Sequence, residues 1–281
     1  MYILMITPLK YKLVISDFDG TLLRDDNTIS SRTVKAIKKF VDMGGIFTVS
    51  TGRMCNSILA RLPELGLDKI NIPLMGYQGA RIIDNLTGEV LFERNISNAD
   101  AVKLVRDCKD QNLYHQVYFA PDRLVTAELN WISDKYCKAV GVTAEGVGDL
   151  EEYLIKTKLD CHKVLVILEP ERAREVMKGF SERHVGTTAF ISHPYFVEMV
   201  SQEAGKGNAA KWAAEKLGIT MEEIIGIGDS FNDIPLVETA GRGIAVANAM
   251  PELKAVADEV SEYNNNEDAV ARILEEIILH G

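Results

Sequence analysis

The chain has 281 residues, of which 47% are hydrophobic and 26% are charged, which is ordinary for a soluble globular protein. This length favours two domains over a single core. The formal net charge of −10 argues against nucleic acid or an anionic membrane surface as a partner, because both need concentrated Lys and Arg. An acidic surface of this kind is compatible with a monomer or a homodimer.

Targeting and redox signals are weak. The apolar N-terminus at 2–6 has no basic segment before it and breaks at Thr7-Pro8, so we predict neither a signal peptide nor a membrane span there. The four cysteines are scattered and form no C-x-x-C pair. We therefore predict reduced thiols in a cytoplasmic protein.

The first third of the chain alternates between strand and helix. We predict strands over 12–16, 46–50 and 72–75, a helix that Ser30 or Ser31 caps, and a second helix over 57–65. Strands that alternate with helices indicate a parallel sheet with right-handed crossovers.

The middle and the last third differ from each other. The last third resumes the alternation, with strands over 224–228 and 243–246 between helical segments. The middle reads instead as hairpins and isolated helices, beginning with a hairpin over 81–93. We interpret it as an α+β insertion of roughly 100 residues, the size of a small domain.

Asp17 and Asp19 follow directly after the first predicted strand, with Gly20 behind them. In extended backbone, residues i and i+2 point the same way, so both carboxylates are presented at the carboxyl end of a strand, where open α/β sheets bind ligands. Two like charges this close need a cation, a shared proton or separate roles. An acidic turn after a strand would look the same in isolation.

Three further pieces have the same character. Thr51-Gly52 ends the second strand and offers a hydroxyl and backbone N–H groups to an anion. Lys206 lies between two glycines at the start of a helix, where its ammonium could neutralise a phosphate oxygen. Asp229 and Asp233 follow a later strand and are hard oxygen ligands that suit Mg²⁺. Each piece alone could be a turn, a cap or a solvated lysine, but their combination indicates a site.

The combination resembles a known set of motifs. The four motifs of the haloacid dehalogenase-like hydrolase superfamily are matched, in order, by Asp17-x-Asp19-Gly20-Thr21, Thr51-Gly52-Arg53, Lys206 and Gly228-Asp229-Ser230-x-Asn232-Asp233. More narrowly, the chain resembles the Cof-type sugar-phosphate phosphatases of that superfamily. It departs from them at Gln78-Gly79, where the family often has Asn-Gly, and at Ala269, where it often has Gly.

The resemblance implies a fold. It is an α/β fold with a Rossmann-like, doubly wound parallel sheet as its core, built from residues 1–83 and 188–281. A C2-type α+β cap, which selects the substrate, would occupy residues 84–187.

The resemblance also implies a Mg²⁺-dependent phosphomonoesterase. Asp17 would be the nucleophile that forms an aspartyl-phosphate, and Asp19 the general acid and base. The residues implied at the metal are Asp17, Asp19 (through its carbonyl), Asp229, Ser230 and Asp233. The residues implied at the phosphoryl group are Phe18 (through its N–H), Thr51, Gly52, Lys206 and Asn232, with Thr51 and Lys206 counted also as catalytic.

Some roles stay open at this level. Arg53 could reach phosphate or pair on a helix surface, and Glu198 is a candidate to position Lys206 as an ion pair. The predicted partner is a small phosphorylated metabolite, with a sugar phosphate favoured. A phosphosugar mutase and a non-catalytic sensor of a phosphorylated metabolite are the alternatives. No motif identifies the metabolite or the cap residues that select it.

Overall fold

The computed structural model describes residues 9–280, apart from the side chain of His280. The predictions made for residues 2–6 lie outside the described residues. No helix in the described range is long and apolar enough to cross a membrane. The four cysteines are free, and three of them are buried.

Two sheets organise the described residues. The larger has eight strands in the order β14-β13-β12-β1-β2-β3-β4-β5. Their bounds are β1 Leu13–Asp17, β2 Ile46–Ser50, β3 Leu74–Gly76, β4 Arg81–Ile83, β5 Val90–Glu93, β12 Ile224–Gly228, β13 Arg242–Ala245 and β14 Glu259–Val260. The strands from β14 to β3 are parallel, and β4 and β5 add an antiparallel edge. The predicted α/β class with a parallel core sheet is confirmed.

Helices cover both faces of this sheet. Their bounds are α1 Ser31–Asp42, α2 Cys55–Leu59, α3 Leu62–Leu65, α8 Lys206–Leu217, α9 Ile234–Thr239, α10 Pro251–Lys254 and α11 Ala269–His280. Along β1, Val14 packs in one apolar cluster with α1 and α11, whereas Leu13 and Ile15 pack in another with α8 and α9. This alternation is what a fully buried strand between two helical layers requires.

One predicted helix is two. The segment 57–65 is predicted to be helical with a break at Pro63 near its end, but the helix breaks earlier, because α2 ends at Leu59 and α3 begins at Leu62. Pro63 lies in the first turn of α3. Proline has no N–H for an intrahelical bond, and its ring fits the first turn of a helix, so the helix restarts there.

The smaller sheet has six strands in the order β10-β11-β9-β6-β7-β8. Their bounds are β6 Tyr114–Phe119, β7 Arg123–Thr126, β8 Ala144–Gly146, β9 Lys163–Ile167, β10 Thr187–His193 and β11 Phe196–Ser201. The helices of this region are α4 Asn98–Asp110, α5 Trp131–Val140, α6 Leu150–Thr157 and α7 Pro170–Arg183. The sequence patterns predict no element at β8, α5 or α6, although Asn130 caps α5 and Gly141 ends it in the left-handed region.

The strands divide between the sheets at different points from the predicted boundaries at 84 and 187. The hairpin of β4 and β5 belongs to the larger sheet, while β10 and β11 belong to the smaller one. The strands of this smaller sheet, the inserted sheet, lie between Tyr114 and Ser201. Length and hairpin patterns locate an insertion, but they do not show which sheet a hairpin at its border joins.

The inserted sheet has two unlike faces. Val164 and Val166 of β9 pack in an apolar cluster with α4 and α7. Leu165, on the opposite face, belongs to the apolar cluster of the larger sheet. Lys163 shares the face of Leu165, since side chains in a strand alternate, and so points toward the larger domain.

Candidate active site

The register of the parallel strands brings distant residues together. Ser16 of β1 lies opposite Ile227 of β12, and Asp17 lies opposite Ser50 of β2. Residues that follow these three strands consequently meet at one edge of the sheet, as the strand-end pattern predicted.

An acidic cluster forms at that edge. Carboxylate oxygens of Asp17, Asp229 and Asp233 all lie within 4.8 Å of one another. The Lys206 ammonium donates to Oδ1 of Asp17 and, over 2.6 Å, to Oδ1 of Asp233. Lys206 is 1% exposed and Asp233 is fully buried. Three carboxylates and one ammonium, all ionised, carry a formal charge of −2.

Burial and the repulsion between its carboxylates shift the pKa values of this cluster. Burial raises the pKa of Asp17 well above its usual value, and the neighbouring carboxylates add to this while Lys206 opposes it. Burial, and then repulsion from Asp233, raises the pKa of Asp229 to about 7. Burial alone would lower the pKa of Lys206, but Asp17 and Asp233 raise it above its usual value.

Both carboxylate oxygens of Asp233 already accept hydrogen bonds. Its Oδ2 accepts from the backbone N–H groups of Asp229 and Ser230, each at 3.0 Å, while its Oδ1 accepts from Lys206. The backbone N–H of Asp233 donates in turn to the carbonyl of Ser230 over 3.1 Å. Asp233 therefore orients the loop and Lys206, and Ser230 contributes to the same turn.

The arrangement fits a divalent cation. Asp17 and Asp229 supply hard oxygen ligands, and the formal charge of −2 is one that a divalent ion would balance. Gly20 has a φ of +75°, and a Cβ there would lie 2.7 Å from Oδ2 of Asp229. Because glycine has no side chain, this carboxylate oxygen keeps open space beside it. Thr21 donates to the other oxygen, Oδ1, over 2.8 Å.

Asp19 lies outside the acidic cluster. Its carboxylate accepts two bonds from the Arg53 guanidinium, from Nε over 2.8 Å and from Nη2 over 2.6 Å. The side chain of Asp19 is 48% exposed and that of Arg53 only 16%. The guanidinium also lies 5.7 Å from the centre of the buried Phe18 ring. Arg53 thus pairs with the second acid of the first motif and not with a residue on a helix surface.

The loop after β2 is held by backbone bonds. Thr51 donates its N–H to Met75 over 2.9 Å, and its carbonyl accepts from the N–H of Gln78 over 2.8 Å. Its hydroxyl accepts from the N–H of Arg53 over 3.2 Å. The peptide between Thr51 and Gly52 is therefore bonded at its carbonyl end, which polarises the N–H of Gly52.

Glu198 does not pair with Lys206, so that sequence-based hypothesis is wrong. The carboxylate of Glu198 binds Lys163 at 3.2 Å and Ser192 at 2.9 Å, and it accepts from Nε2 of Gln78 over 3.0 Å. Glu198 of β11 does lie near the site, but its carboxylate pairs with Lys163 of the neighbouring strand β9. Lys206 instead faces the carboxyl edge of the larger sheet.

Comparison with known proteins assigns the family. Residues 14–274 match the model of the haloacid dehalogenase-like hydrolases. The chain belongs to this family. The family resemblance drawn from the four motifs is confirmed.

Individual members extend the match over nearly the whole chain. A 5-amino-6-(5-phospho-D-ribitylamino)uracil phosphatase of Bacillus subtilis, YwtE, is 29% identical over 298 aligned residues, covering 95% of this chain and 98% of its own. A crystal structure of a haloacid dehalogenase-like hydrolase from Bacteroides thetaiotaomicron superimposes with a TM-score of 0.79 at 28% identity, covering 95% of this chain and 99% of the other. The chain is accordingly a phosphatase of this family.

Sequence reasoning missed several residues at the site. Lys163 stands at the start of an apolar strand, where a lysine usually marks a strand end, and its partners Gly52 and Glu198 are remote in sequence. Thr21 belongs to the first motif, but the motif predicts no separate role for it. The signal for Arg53 was present in its place after Thr51-Gly52, but the sequence could not choose between a contact with phosphate and a pair on a helix surface.

Proposed function

We propose that this protein is a Mg²⁺-dependent phosphomonoesterase that acts on a small phosphorylated metabolite through an aspartyl-phosphate. One observation carries the proposal: Asp17 lies at a strand end between a buried lysine and two further carboxylates. Oδ1 of Asp17 is bonded to Lys206, which orients the carboxylate, and one of its oxygens would attack phosphorus. That attack forms the Asp17 O–P bond and breaks the P–O bond to the leaving group.

Asp17, Asp229 and the backbone carbonyl of Asp19 would hold the metal, with Asp233 and Ser230 supporting them. A divalent cation there would neutralise the carboxylates and the phosphoryl oxygens, and would allow two anions to approach each other. The proximity of Asp17 and Asp229 in a buried cluster supports this assignment.

Asp19 would transfer the protons. It would donate one to the leaving oxygen and then accept one from the water that hydrolyses the aspartyl-phosphate, releasing inorganic phosphate. The guanidinium nitrogens of Arg53 are donors only, so a protonated Asp19 would accept from them more weakly than the carboxylate does. We therefore expect this ion pair to weaken when Asp19 carries the proton.

Phosphoryl oxygens would be held by donors at the same edge. These are Lys206, the hydroxyl of Thr51, the side chain of Asn232 and the N–H groups of Gly52 and Phe18. Charge spreads over the phosphoryl oxygens in the transition state, so donors fixed in advance lower the barrier.

The substrate class follows from the relatives and is part of the proposal. YwtE is named for a substrate that carries a phosphorylated ribityl chain, a polyhydroxylated group. We expect a phosphate ester of a sugar or of a similar polyol, handled by a cytoplasmic enzyme. The free cysteines are compatible with that reducing compartment.

The test is phosphate release from a panel of phosphorylated metabolites, with and without Mg²⁺, by the wild type and by Asp17→Asn. We expect Mg²⁺-dependent release that falls by at least about a thousandfold in the variant, because an amide oxygen is a poor nucleophile. Asp42→Asn, at an exposed ion pair with Lys38, is the matched control.

Retention of Mg²⁺-dependent release by Asp17→Asn would refute the aspartyl-phosphate. Isomerised phosphate ester in place of inorganic phosphate would indicate a mutase. Tight binding of a panel member without turnover would indicate a sensor.

A further inference from the structure

A second buried ion pair lies beside the candidate active site. Lys163 of β9 is 1% exposed and Glu198 of β11 is 4% exposed, and their charged groups are 3.2 Å apart. Both residues come from the inserted sheet. Lys163 also donates to the carbonyl of Gly52 over 2.8 Å, so a cation of the insertion is bonded to the loop after β2.

Glu198 fixes the orientation of an amide. An ionised carboxylate only accepts hydrogen bonds, so the nitrogen of Gln78 must face Glu198, as observed at 3.0 Å. The oxygen of Gln78 then points the other way and accepts from Nδ2 of Asn232 over 2.9 Å. One N–H of the Asn232 amide is thereby committed to Gln78, so the second N–H of the same nitrogen is the donor that Asn232 offers to phosphate.

The backbone at Gly52 and Gln78 makes room for these hydrogen bonds. A Cβ on Gly52 would lie 2.4 Å from Nε2 of Gln78, so the Gln78 amide fills the space that this glycine leaves. Gln78 itself has a φ of +60°, in the left-handed region that costs energy for a residue with a side chain. Its backbone N–H also bonds the carbonyl of Thr51. Gln78 therefore holds both the loop after β2 and the side chain of Asn232.

We propose that Lys163 and Glu198 are positioning residues of the phosphatase, which set the phosphate-binding groups through a relay of Lys163, Glu198, Gln78 and Asn232. Lys163 neutralises Glu198 and holds the Gly52 carbonyl, Glu198 orients Gln78, and Gln78 orients Asn232. The relay makes phosphate binding depend on the position of the inserted sheet. It rests on the proposed function, since it assumes that Gly52 and Asn232 contact phosphate.

The decisive variant is Gln78→Met, which keeps the length of the side chain but removes both amide bonds. We measure the Kd for inorganic phosphate in the presence of Mg²⁺ by calorimetry, together with kcat, KM and the melting temperature. We expect the Kd and KM to rise about tenfold, as for the loss of a hydrogen bond to a charged ligand, with little change in melting temperature. A purely structural role would lower the melting temperature and leave the Kd of the folded protein unchanged.

The second test removes the ion pair. Lys163→Met alone leaves a buried unpaired carboxylate and is expected to fold poorly. The double variant K163M/E198Q removes both charges, so it restores neutrality but leaves the Gln78 amide free to turn over. We expect it to fold and still to show the raised Kd of Gln78→Met. Lys109→Met is the control, because Lys109 pairs with Asp149 and Glu151 on the surface of the same region.

A wild-type Kd in both Gln78→Met and the double variant would overturn the relay, whatever happens to stability. Phosphate binding is measured without turnover, so this outcome is separate from the failure of the proposed function. An inactive wild type with a relay-dependent Kd would refute the hydrolase mechanism and keep the relay. An active wild type with no relay dependence would do the reverse.

Discussion

Two buried ionic clusters lie next to each other in this protein, and they differ in balance. The cluster at the edge of the larger sheet has three carboxylates for one ammonium, whereas Lys163 and Glu198 pair one for one. The carboxyl of Glu198 accepts from three donors and needs nothing more. The acids around Lys206 carry an excess of negative charge, and burial raises the pKa of two of them.

The difference separates a cluster whose excess negative charge suits cation binding from an ion pair whose balanced charges suit the positioning of other groups. Burying an ion without compensation costs several kcal/mol, so a cluster with excess charge is stable only with protons or a cation. A balanced pair with its hydrogen bonds filled gains nothing from a ligand. The excess charge therefore supports the proposed metal site, and the balanced pair supports a positioning role beside it.

The largest expected effect comes from Lys206→Met, which removes the ammonium that pairs with Asp17 and Asp233 in the acidic cluster. The formal charge changes from −2 to −3, so we expect Mg²⁺ to bind at least as tightly as in the wild type. We expect kcat to fall about a thousandfold, because the donor to the nucleophile and the phosphoryl group is gone. Calorimetry and phosphate release measure the two quantities separately.

The matched variant in the other cluster is K163M/E198Q, which should leave Mg²⁺ affinity unchanged. A loss of Mg²⁺ binding in Lys206→Met, or in K163M/E198Q, would break the distinction between the two clusters.

A second prediction concerns pH. The pKa of Asp229 is raised to about 7, and Mg²⁺ requires the ionised form, so metal binding should release a proton and weaken as the pH falls. At pH 6 we expect about tenfold weaker apparent Mg²⁺ affinity than at pH 8. Titration calorimetry in buffers of different ionisation enthalpy measures both the affinity and the proton.

The free energy of unfolding of the metal-free protein should change with pH in the opposite direction to the Mg²⁺ affinity. The folded state holds the proton of Asp229 more tightly than the unfolded chain does, so the free energy of unfolding falls as pH rises between about 4 and about 7. Saturating Mg²⁺ should remove this slope. A metal-free stability that rises steadily through the same range would contradict the raised pKa.

The smallest effect should come from two matched hydroxyl deletions. Thr21 donates to Asp229 over 2.8 Å, and Ser192 donates to Glu198 over 2.9 Å. The bond from Thr21 lowers the pKa of Asp229, so Thr21→Val should raise that pKa and weaken Mg²⁺ binding a few-fold at pH 7. Ser192→Ala should lower the free energy of unfolding by about 1 kcal/mol and leave Mg²⁺ affinity unchanged. Equal effects of both variants on Mg²⁺ would count against the comparison.

The sequence predicted the acidic cluster because its geometry is local to each strand end. Asp17 and Asp229 each follow an apolar run, and parallel strands bring such ends to one edge of the sheet. The strands of the larger sheet could be recognised for the same reason, since a buried parallel strand reads as a continuous apolar segment.

The Lys163 relay could not be predicted in this way. Lys163 contacts Gly52 across 111 positions of sequence, and no periodicity links them. The expected pair of Glu198 with Lys206 used nearness in sequence as a guide, but β11 pairs with β9, which places Lys163 closer. Contacts between the two sheets depend on how the insertion folds back, which patterns within one strand do not encode.

The order of the strands has a consequence for folding during synthesis on the ribosome. β1 lies between β2 and β12, and Leu13 is opposite Ile224, so the centre of the larger sheet closes only when the last quarter of the chain has been made. Until then β1 has one bare edge and an apolar face that α8 and α9 will later cover. Such an edge invites pairing with other chains, so a nascent or truncated chain needs shielding. The acidic cluster of Asp17, Asp229 and Asp233 is also incomplete until these last residues have emerged.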